Sequence, residues 1–180
     1  MYPVTHIVLA TGAAWGAERV ARRLIRREGS DPRPEPAGVR SLFDYRLVAL
    51  GAWLPDIIDK PLGWWVLDDP AYEHSFAHSL LFVWILAAPG LFLARRGDRR
   101  LLSIAFGDAM HVLCDPVVRT PEIFFWPLWG WEFDGVLGYA IEVHVPWRRQ
   151  EALAASVTAL VLLRLWYRDG LLSLLRFGRL

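Results

Sequence analysis

The sequence predicts an all-α fold: a single-domain, up-and-down helical bundle embedded in a membrane. Three observations carry this. Apolar runs of helical length recur along the chain, each closed by proline, glycine or an arginine cluster. The composition is 54% hydrophobic with 10 Trp, above the roughly 45–50% apolar content of ordinary soluble domains. Successive runs also reverse polarity, with arginines at one end and His/Asp residues at the other, as consecutive antiparallel helices would.

At 180 residues the chain has room for one full core. A net charge of +1 gives no electrostatic reason to expect a nucleic-acid partner. Cys114 stands alone, so an intrachain disulfide is excluded. The stretch Met1-Tyr2-Pro3-Val4 has no basic segment before its apolar run, and no signal peptide is expected.

The first element runs from Val4 to about Arg27, apolar at its start and basic at its end. A Pro-rich loop follows at 29–38, with Pro32, Pro34 and Pro36 preventing helix. The second element covers about Ser41–Ile58, and Pro55 is expected to end or kink it. The third covers about Tyr72–Ala94, with His74 and His78 on one helical face and Pro89-Gly90 a kink or early stop. Arg95 to Arg100 forms a basic turn, and the fourth element covers Leu101 to about Val118. An aromatic loop region spans 120–147, and a fifth helix runs from about Arg148 to Asp169. A short amphipathic tail, Leu171–Leu180, closes the chain. Ser79–Ala94 is uncharged but only 16 residues long, short of the roughly 20 a spanning helix needs. Several such runs together favour a multi-pass protein of the inner or plasma membrane, contacting lipid. The positive-inside rule puts the arginine end in the cytoplasm, although Arg148 and Arg149 fall at the other end.

The reversals bring chemistry together. His78 to Arg95 is about 25 Å of helix and Arg100 to Asp115 about 22 Å, at 1.5 Å per residue, so a hairpin sets His78 level with Asp115. His6, Asp56, Asp59, His74, His78, His111 and Asp115 then share one end of the bundle. His74/His78 and His111/Asp115 each have four-residue spacing, and Asp108 falls three residues before His111. Imidazole and carboxylate without a usable thiolate suit Zn, Mn or Fe. Six or seven such groups exceed one tetrahedral ion, so one or two ions are expected. A metal there lowers the pKa of bound water and supplies hydroxide for hydrolysis. Each residue taken singly has a plainer role. His6 and His144 suit packing, Asp56 a turn or helix cap, Asp59-Lys60 a surface ion pair, Asp108 a polar bundle residue and Cys114 core. The two four-residue pairs together favour metal.

Four stretches in order carry a resemblance. They are Gly51-Ala52-Trp53-Leu54-Pro55-Asp56 with Asp59, then His74-x3-His78-Ser79-Leu80, then Gly107-x3-His111-x3-Asp115, then Phe125-Trp126-Pro127-Leu128. Over about residues 5–133 the chain resembles the membrane-bound metal-dependent hydrolase family described as inner-membrane-associated and LexA-binding. More remotely it resembles the zinc-dependent phospholipase C superfamily. The resemblance implies His6, Asp56, His74, His78, His111 and Asp115 as metal ligands, with Asp59 a ligand or a carboxylate just outside them. It also implies phosphoester cleavage. The chain departs from the family pattern at Ser75 and Ala77, and at Lys60-Pro61, where many members carry another His. That leaves the metal count at one or two.

The resulting expectation is a metal-dependent hydrolase, with Zn ahead of Mn or Fe, acting on a small-molecule or lipid-like phosphoester. Asp56 or Asp59 takes the proton, while Asp59 and Asp108 orient from outside the ligand sphere. The alternative is a non-catalytic membrane protein whose metal is structural or which binds a regulator. A buried polar cluster without metal is a third reading.

Overall fold

The computed structural model describes residues 3–28, 41–115, 117, 120–131, 147–167 and 170–179. Every regular element among them is helical, as expected. The helices are α1 (Pro3–Glu28), α2 (Tyr45–Gly51), α3 (Leu54–Pro61), α4 (Leu80–Arg95), α5 (Arg100–Cys114), α6 (Pro121–Phe124), α7 (Trp147–Tyr167) and α8 (Gly170–Phe177). Between α3 and α4 lie a π-helical turn, Leu62–Val66, and two 3-10 turns, Pro70–Glu73 and Phe76–His78. The Pro-rich stretch 29–38, and 132–146 of the aromatic region with His144, fall outside the described residues.

α5 is the central element, packing against α1, α2 and α4. The reason lies in small residues. Ala10, Ala14, Val48 and Ala52 are wholly buried beside Tyr45, flanked by Phe43, Phe106 and Met110. Where α2 crosses α5 the backbones touch. A methyl group on Gly51 would overlap the carbonyl of Ile104, and one on Gly107 the carbonyl of Val48. Only glycine permits that approach. A second apolar cluster, Val112, Val117 and Ile123, closes the C-terminal end of α5 with Val83 and Phe124.

Four boundaries differ from the sequence expectation. The second element is two helices broken at Ala52-Trp53, and Pro55 opens α3 from its first turn, a position where its missing N–H costs nothing. Pro89 neither stops nor ends α4, which runs on to Arg95. The buried Gly90 beside it lets α5 approach, since a methyl group there would lie 3.0 Å from Leu102 N. α5 ends at Cys114, with Asp115 already extended, because Pro116 follows and disfavours helix at the residue before it. The fourth, the start of α4, carries the functional consequence. Residues 72–79 form no α-helix, only parts of two 3-10 turns broken at His74 and Ser75, so His74 and His78 do not share an α-helix face. α4 starts at Leu80, capped by Ser79, whose hydroxyl accepts from Phe82 N.

No helix among the described residues is long and apolar enough to cross a membrane. α4 is the most apolar, but its 16 residues span about 24 Å against a hydrocarbon core of about 30 Å. The expected multi-pass arrangement therefore finds no spanning helix among them.

Candidate metal centre

The reversing polarity does bring the predicted side chains together. His6 enters from the first turns of α1, Asp56 from the first turn of α3, and His111 from the last turn of α5, with Asp115 just beyond it. His74 and His78 come from the irregular segment before α4. All six are buried. Their ligating atoms form three overlapping sets, each within 4.8 Å: His6, His111 and Asp115; Asp56, His78 and His111; His74, His78 and Asp115. His78, His111 and Asp115 each belong to two sets, which ties the six residues into one cluster.

Asp59 explains how His74 and His78 converge without a helix. Its carboxylate is wholly buried and accepts the backbone N–H groups of Ser75 (2.8 Å), Ala77 (3.0 Å) and His78 (3.2 Å). These are the donors a helix would have turned to carbonyls four residues back. The same carboxylate accepts from His78 Nδ1 at 2.7 Å. One side chain thus folds the loop and fixes the imidazole it carries. The His74 and His78 rings meet edge to face with centroids 4.6 Å apart.

His111 is fixed in a parallel way. Its Nδ1 lies 2.7 Å from the carbonyl oxygen of Ala52, which can only accept, so Nδ1 carries the proton. The inward tip of each ring is then Nε2, and the two Nε2 atoms face each other at 3.2 Å. Acceptors behind both imidazoles, with Nε2 turned inward, are the arrangement that orients metal-binding histidines. The Ala52 carbonyl reaches His111 only because Gly51 and Gly107 let α2 and α5 touch.

Around this pair the carboxylates stand close. Asp56 Oδ1 is 3.6 Å from His78 Nε2 and 4.0 Å from His111 Nε2. Asp115 Oδ2 is 3.6 Å from His111, 3.8 Å from His74 and 3.9 Å from His6, in each case from Nε2. The His6 ring stacks on His111 with centroids 3.8 Å apart, yet neither nitrogen of His6 makes a hydrogen bond. Lys60 Nζ, one turn along α3, contacts Asp56 Oδ1 at 2.9 Å. Asp108 lies deeper in α5, fully buried, and neither of its oxygens accepts a hydrogen bond.

Burial governs the protonation states. It holds His6 and His74 far below the ordinary histidine value and pushes His111 down to about 3, with the charge of His78 adding to the effect. Burial opposes charge on His78 too, but the carboxylates of Asp56 and Asp59 overcome it and raise this one histidine to about 9. Asp56 stays ionised despite burial because His78, His111 and Lys60 surround it. Burial raises Asp115, and it pushes Asp108 up to about 8, so Asp108 is neutral at pH 7. Three neutral imidazoles beside an ionised carboxylate form an N/O donor set of the kind Zn, Mn or Fe takes. The nitrogens of His6, buried without a hydrogen bond, are ones that such an ion would satisfy.

Two contributors lay outside the sequence expectation. The Ala52 carbonyl is backbone, and no residue type announces it. The Lys60–Asp56 pair has the four-residue spacing of helical ion pairs. The neighbouring Asp59, the partner expected for Lys60 from the sequence, has its carboxylate taken up by the 75–78 backbone and His78.

Comparison with known proteins gives one family. The family model described as YdjM inner membrane protein matches residues 1–170. No curated protein and no solved structure matches the chain.

Proposed function

The chain belongs to the YdjM inner membrane protein family, and on that premise we propose that it is a metal-dependent hydrolase of phosphoesters at the membrane. The observation that carries this is the facing Nε2 pair of His78 and His111, each ring held from behind by an acceptor. Without an ion, protonated His78 would donate from Nε2 to His111 Nε2 across the same gap; with His78 deprotonated, both nitrogens are turned to one point where an ion can sit. His6, His74, His78, His111, Asp56 and Asp115 would hold the ion or ions. The three overlapping ligand sets favour two ions over one. When bound, a divalent metal supplies positive charge for a phosphoryl oxygen and acidifies water.

The protein's own groups have separable roles. Asp59 accepts four donors already, which supports its orienting His78 rather than taking a proton. Asp56 keeps Oδ2 without a hydrogen bond, and we assign the proton-accepting role to that oxygen. Lys60, on the partly exposed side of Asp56, is placed to meet an anionic substrate. Exposed Trp64, Trp65, Trp129 and Trp131 on nearby loops favour a lipid-like or membrane-proximal phosphoester.

One observation favours a second reading, a structural metal. His6, His78 and His111 are at most 1% exposed, and His74, the most open of the six, only 7%. A catalytic ion needs an open coordination position. Elemental analysis of the purified protein, beside hydrolysis of bis-p-nitrophenyl phosphate, separates the readings. Bound metal with chelator-sensitive hydrolysis supports catalysis, and bound metal without hydrolysis supports the structural role. A metal-free protein whose melting temperature survives His78→Ala overturns both.

A further inference from the structure

The most exposed large apolar side chains among the described residues are Leu128 (88%), Trp65 (80%), Trp131 (77%) and Val66 (71%). No other exceeds 69%. They do not lie along the bundle flanks. Trp65 and Val66 belong to the π-helical turn after α3, and Leu128 and Trp131 to the loop after α6. Both loops are joined to the segment that carries His74 and His78. Gly63, in the first, packs so closely on the 72–73 backbone that a methyl group there would lie 2.9 Å from Glu73 N. Trp126, in the second, packs edge to face on Phe76 at 5.7 Å and on Trp131 at 5.8 Å.

We propose that these two loops are the membrane seat of the protein, inserting into the headgroup layer of the bilayer and presenting the His/Asp end of the bundle to it. Membership of an inner-membrane family calls for a surface that meets lipid. Indole rings prefer the interfacial layer, where the ring is shielded and its N–H stays wet. Side chains exposed this far are held out from the fold, as anchors that enter a lipid layer must be. The outer faces of α4 and α7 are the competing surfaces, with Trp84 and Phe92 57% and 52% exposed on the first and Trp166 and Leu153 69% and 67% on the second; neither is joined to the segment of His74 and His78 as the two loops are. The seat rests on the membrane premise alone and holds whether or not the cluster is catalytic.

The experiment is flotation of the full chain with vesicles of phosphatidylethanolamine and phosphatidylglycerol. Burying a large apolar side chain is worth about tenfold in partitioning at the low end. Trp65→Ser with Val66→Ser, and Leu128→Ser with Trp131→Ser, are each expected to weaken binding about 100-fold, with circular dichroism and metal content unchanged. Trp84→Ser with Phe92→Ser is expected to bind as wild type. Trp65→Phe with Trp131→Phe keeps the apolar bulk. It should still float, but show less fluorescence quenching by brominated acyl chains than the wild type, by the share that these two indoles contribute beside Trp64 and Trp129, which keeps the test decisive if the serine variants misfold. Loop variants that float like wild type, quenching undiminished in the Phe pair, or loss of binding in the α4 variant instead would overturn the proposal. So would self-association through the loops without vesicle binding. Failure of the hydrolase reading would show separately, as vesicle binding without metal or turnover.

Discussion

Asp59→Asn tests whether one carboxylate builds the histidine loop. The wild-type side chain accepts three backbone N–H groups at 2.8–3.2 Å and His78 Nδ1 at 2.7 Å, at a position with no solvent exposure. Hydrogen bonds to a charged group contribute about 1.5–3 kcal/mol each, without strict additivity. The amide keeps one accepting oxygen but turns an NH2 group towards donors. Losing one partner of a buried ionic network costs about 3–5 kcal/mol. For a chain of this length that corresponds to a fall in melting temperature of about 6–20 °C. With His78 no longer oriented, metal affinity should drop about 10–100-fold. Thermal melts of metal-free and metal-loaded protein, with chelator competition, measure both quantities. Unchanged melting and unchanged affinity would refute the reasoning. A stable, metal-loaded variant that only turns over slowly would instead make Asp59 the proton acceptor.

Three further outcomes follow from the same geometry. His78 is raised to about 9 in the metal-free protein, and it must lose that proton to become a ligand. Metal affinity should therefore climb with pH up to about 9, and metal-free stability, favoured by the charged His78 at low pH, should decline over the same interval; isothermal titration across pH checks the sign. Gly107→Ala forces a methyl group into the Val48 carbonyl and should destabilise by about 1–3 kcal/mol, while weakening metal binding by pushing the Ala52 carbonyl off His111; denaturant melts and metal titration report the two effects. Asp108, pushed up to about 8 by burial, makes the fold lose stability as pH rises from about 4, the unfolded carboxyl value, to about 8, so Asp108→Asn should flatten that part of the stability–pH profile.

The candidate site was largely legible, and one part of it for the wrong reason. His74 and His78 attracted attention through helical spacing, yet they converge on a non-helical loop held by Asp59. The pair survives because a bent chain can bring residues four apart as close as a helix turn does, once an acceptor replaces the missing carbonyls. His111 and Asp115 kept their spacing although α5 ends between them, since Asp115 N still reaches the His111 carbonyl at 3.0 Å. The break at Ala52-Trp53 is hidden in the sequence because Pro55 suits the first turn of a helix, where it stands, as well as the end of one.

Helix content, the order of elements and the gathering of His and Asp residues at one end followed from the sequence alone. Those features depend on local periodicity and on the length of each helix. The roles of Asp59, the Ala52 carbonyl and the paired glycines were decided by the tertiary structure. Each depends on which backbone atoms lie opposite a side chain 16 to 59 positions away. The protonation of His78 against its three neutral neighbours was decided there too, because burial and the position of two carboxylates, rather than residue type, set which imidazole holds charge.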